Sequence, residues 1–263
     1  MPKIYLSAAA HATDNSTKCP TACGENTHCN AYMDIVEKGL KAQGIEVKRT
    51  HKTKTGNAAM SSRVKDANAW GADIYYVAHT NAGGGRYSMT MCYPNSTSQK
   101  KADVFHKYRK CVKTHYVRTR KDLYEINATK MVCLYDELIF HDNADDCAWF
   151  HNGGMEKLAE ETVKALCEIV GVKYKAPAAT TSTATKTETK TEAAKAATKA
   201  GDKVTLNKGK LYVSSTSKVA VTRTGTFYLY DGQKINGRYR VTNKPANVGK
   251  KPLAWYVSGW AVI

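Results

Sequence analysis

The sequence predicts two folded parts, a mixed α/β domain with a mainly parallel sheet flanked by helices and, after it, a small all-β domain. Over residues 1–175, short β-type runs alternate with helical patterns, as in a sheet covered by helices. After residue 201 the apolar pattern changes to period two, with aromatic residues and turns of Gly and Asn. Residues 176–200 are almost all Ala, Thr, Lys and Glu, which predicts a flexible linker between the two domains.

Apolar periodicity and glycines define the elements of the first domain. For example, Tyr32, Ile35 and Leu40 recur at helical spacing and stop before Gly44, a residue that favours a helix end. The predicted elements are, in order, a strand at 3–6, a helix at 26–43, a strand at 45–50, a helix at 57–70, strands at 73–79 and 87–93, a basic helix at 98–114, a strand at 131–140 and a helix at 155–170.

The second domain, residues 201–263, is predicted from four β-type runs that turns of Gly and Asn separate. The runs cover residues 203–215, 218–233, 238–243 and 254–263. This part holds eleven Lys and Arg against two Asp, so it contributes more than half of the chain's formal net charge of +17. A polyanionic partner is therefore expected, and charge alone does not choose among nucleic acid, anionic lipid and the polymers of a bacterial wall.

Composition limits where the protein works. With 42% hydrophobic residues the chain has enough apolar side chains for a core, which excludes a fibre. No stretch approaches the ~20 consecutive apolar residues that span a bilayer, so no membrane insertion is expected. The first ten residues lack the pattern of a signal peptide, which predicts a cytoplasmic protein whose eight cysteines stay reduced.

Titratable side chains follow three predicted strands. His11 follows the first strand, His79 ends the third, and Glu137 lies near the end of the strand at 131–140. Functional groups of open α/β sheets gather at the carboxyl ends of the strands, and Glu25 could reach the same crevice from the start of a helix. Two histidines and a carboxylate are a set that holds a catalytic Zn²⁺, with a second carboxylate as proton carrier.

A second group of metal-ligating side chains comprises Cys19, Cys23, His28 and Cys29. Structural zinc sites usually pair ligands at close, repeated spacing, and a second pair of that kind is missing here. We therefore expect a reduced, cysteine-rich loop beside the active site rather than a zinc site.

Four segments, taken in order, resemble one known family. KIYLSAAAH, GENTHCN, ADIYYVAHTNAGGG and ELIFHDNADDCAW are similar to segments of the zinc-dependent N-acetylmuramoyl-L-alanine amidases of the type-three amidase family, above all to endolysins of phages that infect Gram-positive, clostridia-like bacteria. The resemblance covers roughly residues 1–173. It implies His11, Glu25 and His79 as ligands of Zn²⁺ and Glu137 as the catalytic base.

The resemblance implies hydrolysis of the amide bond between N-acetylmuramic acid and L-alanine in peptidoglycan, to lyse the bacterial host. An enzyme without a signal peptide would wait in the host cytoplasm until a holin pore released it to the wall. The alternatives are a zinc peptidase that cuts within the stem or cross-link peptides, a bacterial autolysin, and a binding protein whose first domain has lost its chemistry. Substitution of Glu137 by Gln separates the last of these from the enzymes.

The all-β domain looks like the SH3-like wall-binding domains of lysins, and a nucleic-acid-binding barrel is the alternative. Attachment to an amidase makes the wall the natural ligand, because a second binding site concentrates the enzyme on an insoluble substrate. Bacterial peptidoglycan and anionic wall polymers are thus the expected partners, and nucleic acid is not.

Neighbouring polar residues are expected to have structural roles. Asp142 or Asn143 is expected to cap the following helix, and His141 is left out of the catalytic set. Arg63 and Asn68 also match the family pattern, but a helix surface and a helix–sheet contact explain them adequately.

Overall fold

The computed structural model describes residues 1–19, 23–176, 199–212, 215, 220–250 and 257–263. The chain divides into two compact units, Met1–Lys175 and Ala176–Ile263. Most of the predicted linker, residues 176–200, lies outside the described residues. Among the helices in these ranges, none combines the length and the apolar character that crossing a membrane requires.

Unit 1 is built on a six-stranded mixed sheet. Its strands are β1 (Lys3–Ala8), β2 (Glu46–Lys48), β3 (Ile74–Asn81), β4 (Ser88–Cys92), β5 (His115–Thr119) and β6 (Val132–Phe140), in the spatial order β2-β1-β3-β6-β4-β5. Strands β2, β1, β3 and β6 are parallel to one another, whereas β4 is antiparallel to β6 and parallel to β5. The predicted mixed, mainly parallel sheet is confirmed.

Helices cover both faces of this sheet. They are α1 (Glu25–Ala42), α2 (Gly56–Trp70), α3 (Ser96–Tyr108), α4 (Tyr124–Ala128), α5 (Ala144–Trp149) and α6 (Met155–Ile169), and the segment Phe150–Gly154 between α5 and α6 is kinked, because Asn152 and Gly153 have non-helical backbone angles. In β1, Ile4 and Leu6 join the larger core with α1, α3 and α6, whereas Tyr5 joins a second core with α2 and α4. Strand alternation therefore buries both faces, as expected of a largely parallel sheet.

The helix predicted at 98–114 ends earlier than expected, at Tyr108. The next residue, Arg109, is buried and donates hydrogen bonds to Asp136 and to Thr162 Oγ1. The helix ends here because the Arg109 side chain enters the core. The chain then forms β5, an element that the sequence did not predict. Helices α4 and α5 were also not predicted.

Unit 2 contains a closed antiparallel barrel in the order β10-β7-β8-β9. The strands are β7 (Lys203–Tyr212), β8 (Ala220–Ile235), β9 (Arg238–Thr242) and β10 (Gly259–Ala261). A two-residue turn joins β8 to β9, and its Asn236 and Gly237 have φ angles of 51° and 77°. Positive φ at both turn positions matches the twist of a tight hairpin, which explains the Asn-Gly pair.

Candidate active site

The loop after β1 carries His11, and α1 fixes this loop. The backbone N–H of His11 donates to Oδ1 of Asn26 at 2.9 Å, and Nδ2 of Asn26 donates to the carbonyl oxygen of His11 at 3.0 Å. Asn26 lies in the first turn of α1. One side chain thus holds both backbone groups of His11 beside the start of the helix.

Glu25, the first residue of α1, lies between the two histidines. Its Oε2 is 3.1 Å from Nε2 of His11 and its Oε1 is 3.2 Å from Nδ1 of His79. Burial favours the neutral acid, but the contact with His79 and hydrogen bonds from the Thr80 N–H and the Asn15 amide outweigh it and lower the pKa of Glu25 to about 2. The carboxylate is therefore ionised and aimed at both rings.

His79 completes a group of three side chains whose ligand atoms all lie within 4.8 Å of one another. Its ring stacks on Tyr135 and meets the ring of His11 edge-on at 5.2 Å between centroids. Nε2 of His11 is buried, and because its 3.1 Å approach to Glu25 lacks hydrogen-bond geometry, it has no hydrogen-bond partner among the described residues. Two imidazoles and an ionised carboxylate in this arrangement fit a divalent metal such as zinc.

Glu137 lies beside this group on the adjacent strand. His79 and Glu137 pair in register between β3 and β6, so their side chains project from the same face of the sheet. Oε2 of Glu137 is buried and lacks a hydrogen-bond partner in the described part of the chain. Burial raises the pKa of Glu137 to about 7, which suits a carboxyl group that takes up and releases protons near neutral pH.

The structure therefore brings together the four residues that the sequence selected as site residues. The register between β3 and β6 shifts just beyond His79, and such irregularities turn side chains at the end of a sheet. Asn143 caps a helix through the N–H groups of Asp145 and Asp146, as predicted, but the helix is α5 rather than the one predicted at 155–170. Asp142 instead accepts hydrogen bonds from the N–H groups of Gly83 and Gly84 and so fixes the glycine turn after β3.

Arg63 corrects one expectation, because it is not on the helix surface. The side chain is 3% exposed and donates to the carbonyl oxygen of Ala8 at 2.5 Å, to Ser7 Oγ and to the carbonyl oxygen of His51. Arg63 thus holds the end of β1, three residues before His11. The expected helix–sheet contact is thus made by Arg63, whereas Asn68 donates to the carbonyl oxygen of Ala128 at the end of α4 and accepts from the N–H of Lys130 in the loop before β6.

A second group of ligand-type side chains lies at the other side of the α1 start. It consists of Cys19, Cys23, His28 and His151, and we call it the cysteine–histidine cluster. The sequence drew attention to the first three, but it did not select His151, and it placed Cys29 with them instead. Cys29 is fully buried in the core and is not one of the four.

A mixed α/β sheet that carries two histidines and two carboxylates at its carboxyl edge is the arrangement of a metal-assisted hydrolase. Residues 8–168 match the family model described as N-acetylmuramoyl-L-alanine amidase, and the chain belongs to this family. The protein is therefore an N-acetylmuramoyl-L-alanine amidase, an enzyme that acts on peptidoglycan. No curated protein sequence matches the chain.

Solved structures share the fold of this domain. The catalytic domain of CwlV, an N-acetylmuramoyl-L-alanine amidase from Bacillus (Paenibacillus) polymyxa var. colistinus, is 24% identical with a TM-score of 0.59, over 66% of this chain and 100% of that one. The catalytic domain of an endolysin targeting Clostridia Difficile is 21% identical with a TM-score of 0.56, over 64% and 98% of the two chains. An N-acetylmuramyl-L-alanine amidase from Mycobacterium abscessus, in its apo form, is 16% identical with a TM-score of 0.56, over 64% and 98%.

Proposed function

We propose that the protein is a zinc-dependent endolysin that hydrolyses the amide bond between N-acetylmuramic acid and L-alanine. The observation that carries the zinc assignment is the convergence of His11, Glu25 and His79, with ligand atoms within 4.8 Å of one another. These three residues would hold the metal. Zinc, when bound, supplies Lewis-acid polarisation of the scissile carbonyl and of the attacking water.

Glu137 is the proposed base. Its unpartnered, buried Oε2 and its raised pKa allow it to take the proton of the attacking water and to pass it to the departing L-alanine nitrogen. Glu25 remains ionised and keeps the rings of His11 and His79 oriented. Asn26 and Arg63 act indirectly, because they hold the backbone at and before His11.

The test compares the full chain with its Glu137→Gln variant on purified walls. The variant should retain zinc and lose about 10²- to 10⁴-fold in rate, the usual contribution of a general base. Glu46→Gln removes an exposed carboxylate of β2 and should keep full activity. Equal wall clearance by Glu137→Gln and wild type would refute the role of this base.

The metal and the cleaved bond need separate measurements. Phenanthroline should abolish hydrolysis, and added zinc should restore it, whereas lysis that survives chelation contradicts the zinc assignment. Mass spectrometry of the digested walls should find muramic acid without its stem peptide. New termini inside the cross-link would indicate a peptidase instead.

The barrel of unit 2 is the proposed wall-binding, SH3-like domain. Its basic composition supports an anionic wall polymer as ligand, and Arg240 lies over the ring of Trp260, 4.7 Å from its centroid. The full chain should bind intact walls more strongly than walls stripped of anionic polymers. Equal binding to both, or tighter binding to nucleic acid, contradicts this proposal.

The endolysin role rests on the sequence resemblance to endolysins of phages of clostridia-like hosts. In this role the protein stays in the host cytoplasm until a holin pore releases it to the wall, without inserting into the membrane. Expression inside a Gram-positive host should cause lysis only when a holin is expressed with it. Export and wall turnover without a holin would indicate an autolysin.

A further inference from the structure

The cysteine–histidine cluster is separate from the candidate active site. Its members come from three places: Cys19 and Cys23 precede α1, His28 lies in the first turn of α1, and His151 lies in the kinked segment between α5 and α6. His28 is 1% exposed, His151 is 9% exposed and Cys19 is 7% exposed. Four ligand-type groups thus meet in a largely buried position, where polar groups need partners.

The ligand atoms of the cluster converge on one point. Nε2 of His28 lies 3.1 Å from Sγ of Cys19, 2.7 Å from Sγ of Cys23 and 3.0 Å from Nε2 of His151. Nε2 of His151 lies 3.5 Å from Sγ of Cys23. In a tetrahedral zinc site with Zn–S of about 2.3 Å and Zn–N of about 2.0 Å, neighbouring ligand atoms are roughly 3.3 to 3.8 Å apart. Three of the four separations above are shorter than these values, and all ligand atoms of the cluster lie within 4.8 Å of one another, so a bound ion would require these atoms to move apart.

Hydrogen bonds alone account poorly for this arrangement. The Nε2 atom of His28 contacts three ligand-type atoms, and one ring nitrogen carries at most one proton. The Nδ1 atoms of His28 and His151 are buried and have no hydrogen-bond partner among the described residues. The polar contacts of both rings thus lie on their Nε2 side, among the ligand-type atoms of the cluster.

The spacing agrees with metal ligation. Cys19 and Cys23 are separated by three residues, which is within the range for paired zinc thiolates, and His28 follows five positions after Cys23. The sequence lacked a second close pair, but the fold supplies the missing ligand from His151, 123 residues beyond His28.

We propose that Cys19, Cys23, His28 and His151 form a second, structural zinc site. Two thiolates and two imidazoles complete a tetrahedral shell, so this site leaves no position for substrate, unlike the three-residue site at the sheet edge. The metal ties the start of α1 to the junction of α5 and α6. Because Glu25 precedes His28 by three residues on α1, the same metal fixes the helix end that carries the active-site carboxylate.

The first test counts zinc in the full chain after equilibration with excess zinc and gel filtration. Wild type should hold two zinc ions, Cys23→Ser one and His79→Ala one, while Cys111→Ser should hold two. Cys111 is a matched control because its thiol contacts Glu161 outside the cluster. A wild-type protein with one zinc that Cys23→Ser keeps and His79→Ala loses would overturn the proposal.

The second test uses ligand chemistry rather than activity. After replacement of zinc by Co²⁺, a thiolate-to-cobalt charge-transfer band should persist in His79→Ala and be absent in Cys23→Ser. If the band is absent from His79→Ala or from wild type, the cluster does not bind the metal through its thiolates, and the proposal is wrong. These readouts do not depend on catalysis, so they separate failure of the second site from failure of the proposed amidase mechanism.

Anomalous diffraction from wild-type crystals keeps the proposal testable if Cys23→Ser does not fold. At the zinc absorption edge we expect one peak among the four cluster side chains and another beside His11, Glu25 and His79. A peak beside His11, Glu25 and His79 without one at the cluster would overturn the proposed structural site. A Cys19–Cys23 disulfide found by mass spectrometry of the zinc-equilibrated protein would overturn it as well.

Discussion

Glu25 is the residue on which the geometry of the candidate active site depends most. Its carboxylate contacts His11, which lies in the loop after β1, and His79, which lies near the end of β3. Glu25 itself is 1% exposed. Its position follows from its place at the start of α1, where its own N–H binds the carbonyl oxygen of Asn15. Residues that position this helix start therefore control the geometry of the candidate site without belonging to its three potential ligands.

Asn26→Ala tests this dependence. Loss of both hydrogen bonds to the His11 backbone should free the loop and weaken zinc binding by about 10- to 100-fold, the usual effect of removing a group that orients a metal ligand. Competition with a chromogenic chelator measures the affinity. Asn68→Ala, which removes two hydrogen bonds from α2 to the backbone of Ala128 and Lys130, should leave the zinc affinity unchanged. Equal zinc affinity in both variants would mean that Asn26 does not position His11.

His115 gives a prediction about pH and stability. Burial lowers the pKa of His115 from 6.5 to about 4. Between these values the unfolded chain takes up a proton that the folded chain does not, so the free energy of unfolding falls as pH falls from about 6.5 to about 4. His115→Gln should remove a part of this decline on the order of 2 to 3 kcal/mol. Urea unfolding at several pH values measures it, and parallel curves for variant and wild type would contradict the prediction.

The sequence alone identified the site residues that lie at or after predicted strands. It did not identify His151, which only the fold brings close to the other members of the cysteine–histidine cluster. His79 and Glu137 end predicted strands, and the carboxyl ends of parallel strands meet at one edge, so their proximity followed from topology. His151 has no such signal, because it lies 123 residues from His28 in a turn that was not predicted. Only its identity as a histidine beyond the late strand could have suggested it.

At the level of elements, a buried ion pair connects α3, β6 and α6. The Arg109 guanidinium, just after α3, donates to Asp136 on β6, and to Thr162 Oγ1 and the Leu158 carbonyl oxygen on α6. Both side chains of the pair are fully buried. Tyr76 also donates to Asp136, so the strand next to β6 joins the network. This arrangement keeps β6, and with it Glu137, in register with β3.

Arg109→Met should destabilise the protein by about 3 to 5 kcal/mol, because the Asp136 carboxylate would remain buried without its counter-charge. Lys107→Met is the matched control, since Lys107 pairs with Glu168 at the surface, where solvent screens the pair and its loss should change stability little. Denaturant unfolding measures both. A similar small loss for the two variants would show that the buried pair is not a major contributor to stability.

The same arginine explains why one element could not be predicted. Residues 107–113 include four basic side chains, a composition that favours an exposed helix, and the sequence gives no sign that one of them turns inward. The buried partner, Asp136, lies on a strand 27 residues away. By contrast, β1 and β3 were predicted correctly because both of their faces are buried and their apolar runs are continuous.

At the level of the whole molecule, the chain combines a compact catalytic unit with a basic barrel. In the proposed function the catalytic unit cleaves the bond and the barrel binds the wall, and residues 201–263 carry eleven Lys and Arg against two Asp. Attraction of these charges to an anionic wall is weakened by salt, since the Debye length falls from about 10 Å at 0.1 M to about 3 Å at 1 M.

A chain of residues 1–175 should therefore cleave a soluble muramoyl peptide at a rate close to that of the full chain, and should lose most of its activity on insoluble walls. The short chain lacks the second attachment to the wall, and in linked binders a second attachment strengthens overall binding by about 10²- to 10⁴-fold.

Raising salt from 0.1 to 1 M should lower wall hydrolysis by the full chain and leave the short chain nearly unaffected. Rates on both substrates at both salt concentrations measure this. Equal salt dependence of the two chains on walls would place the electrostatic attraction in the catalytic unit instead.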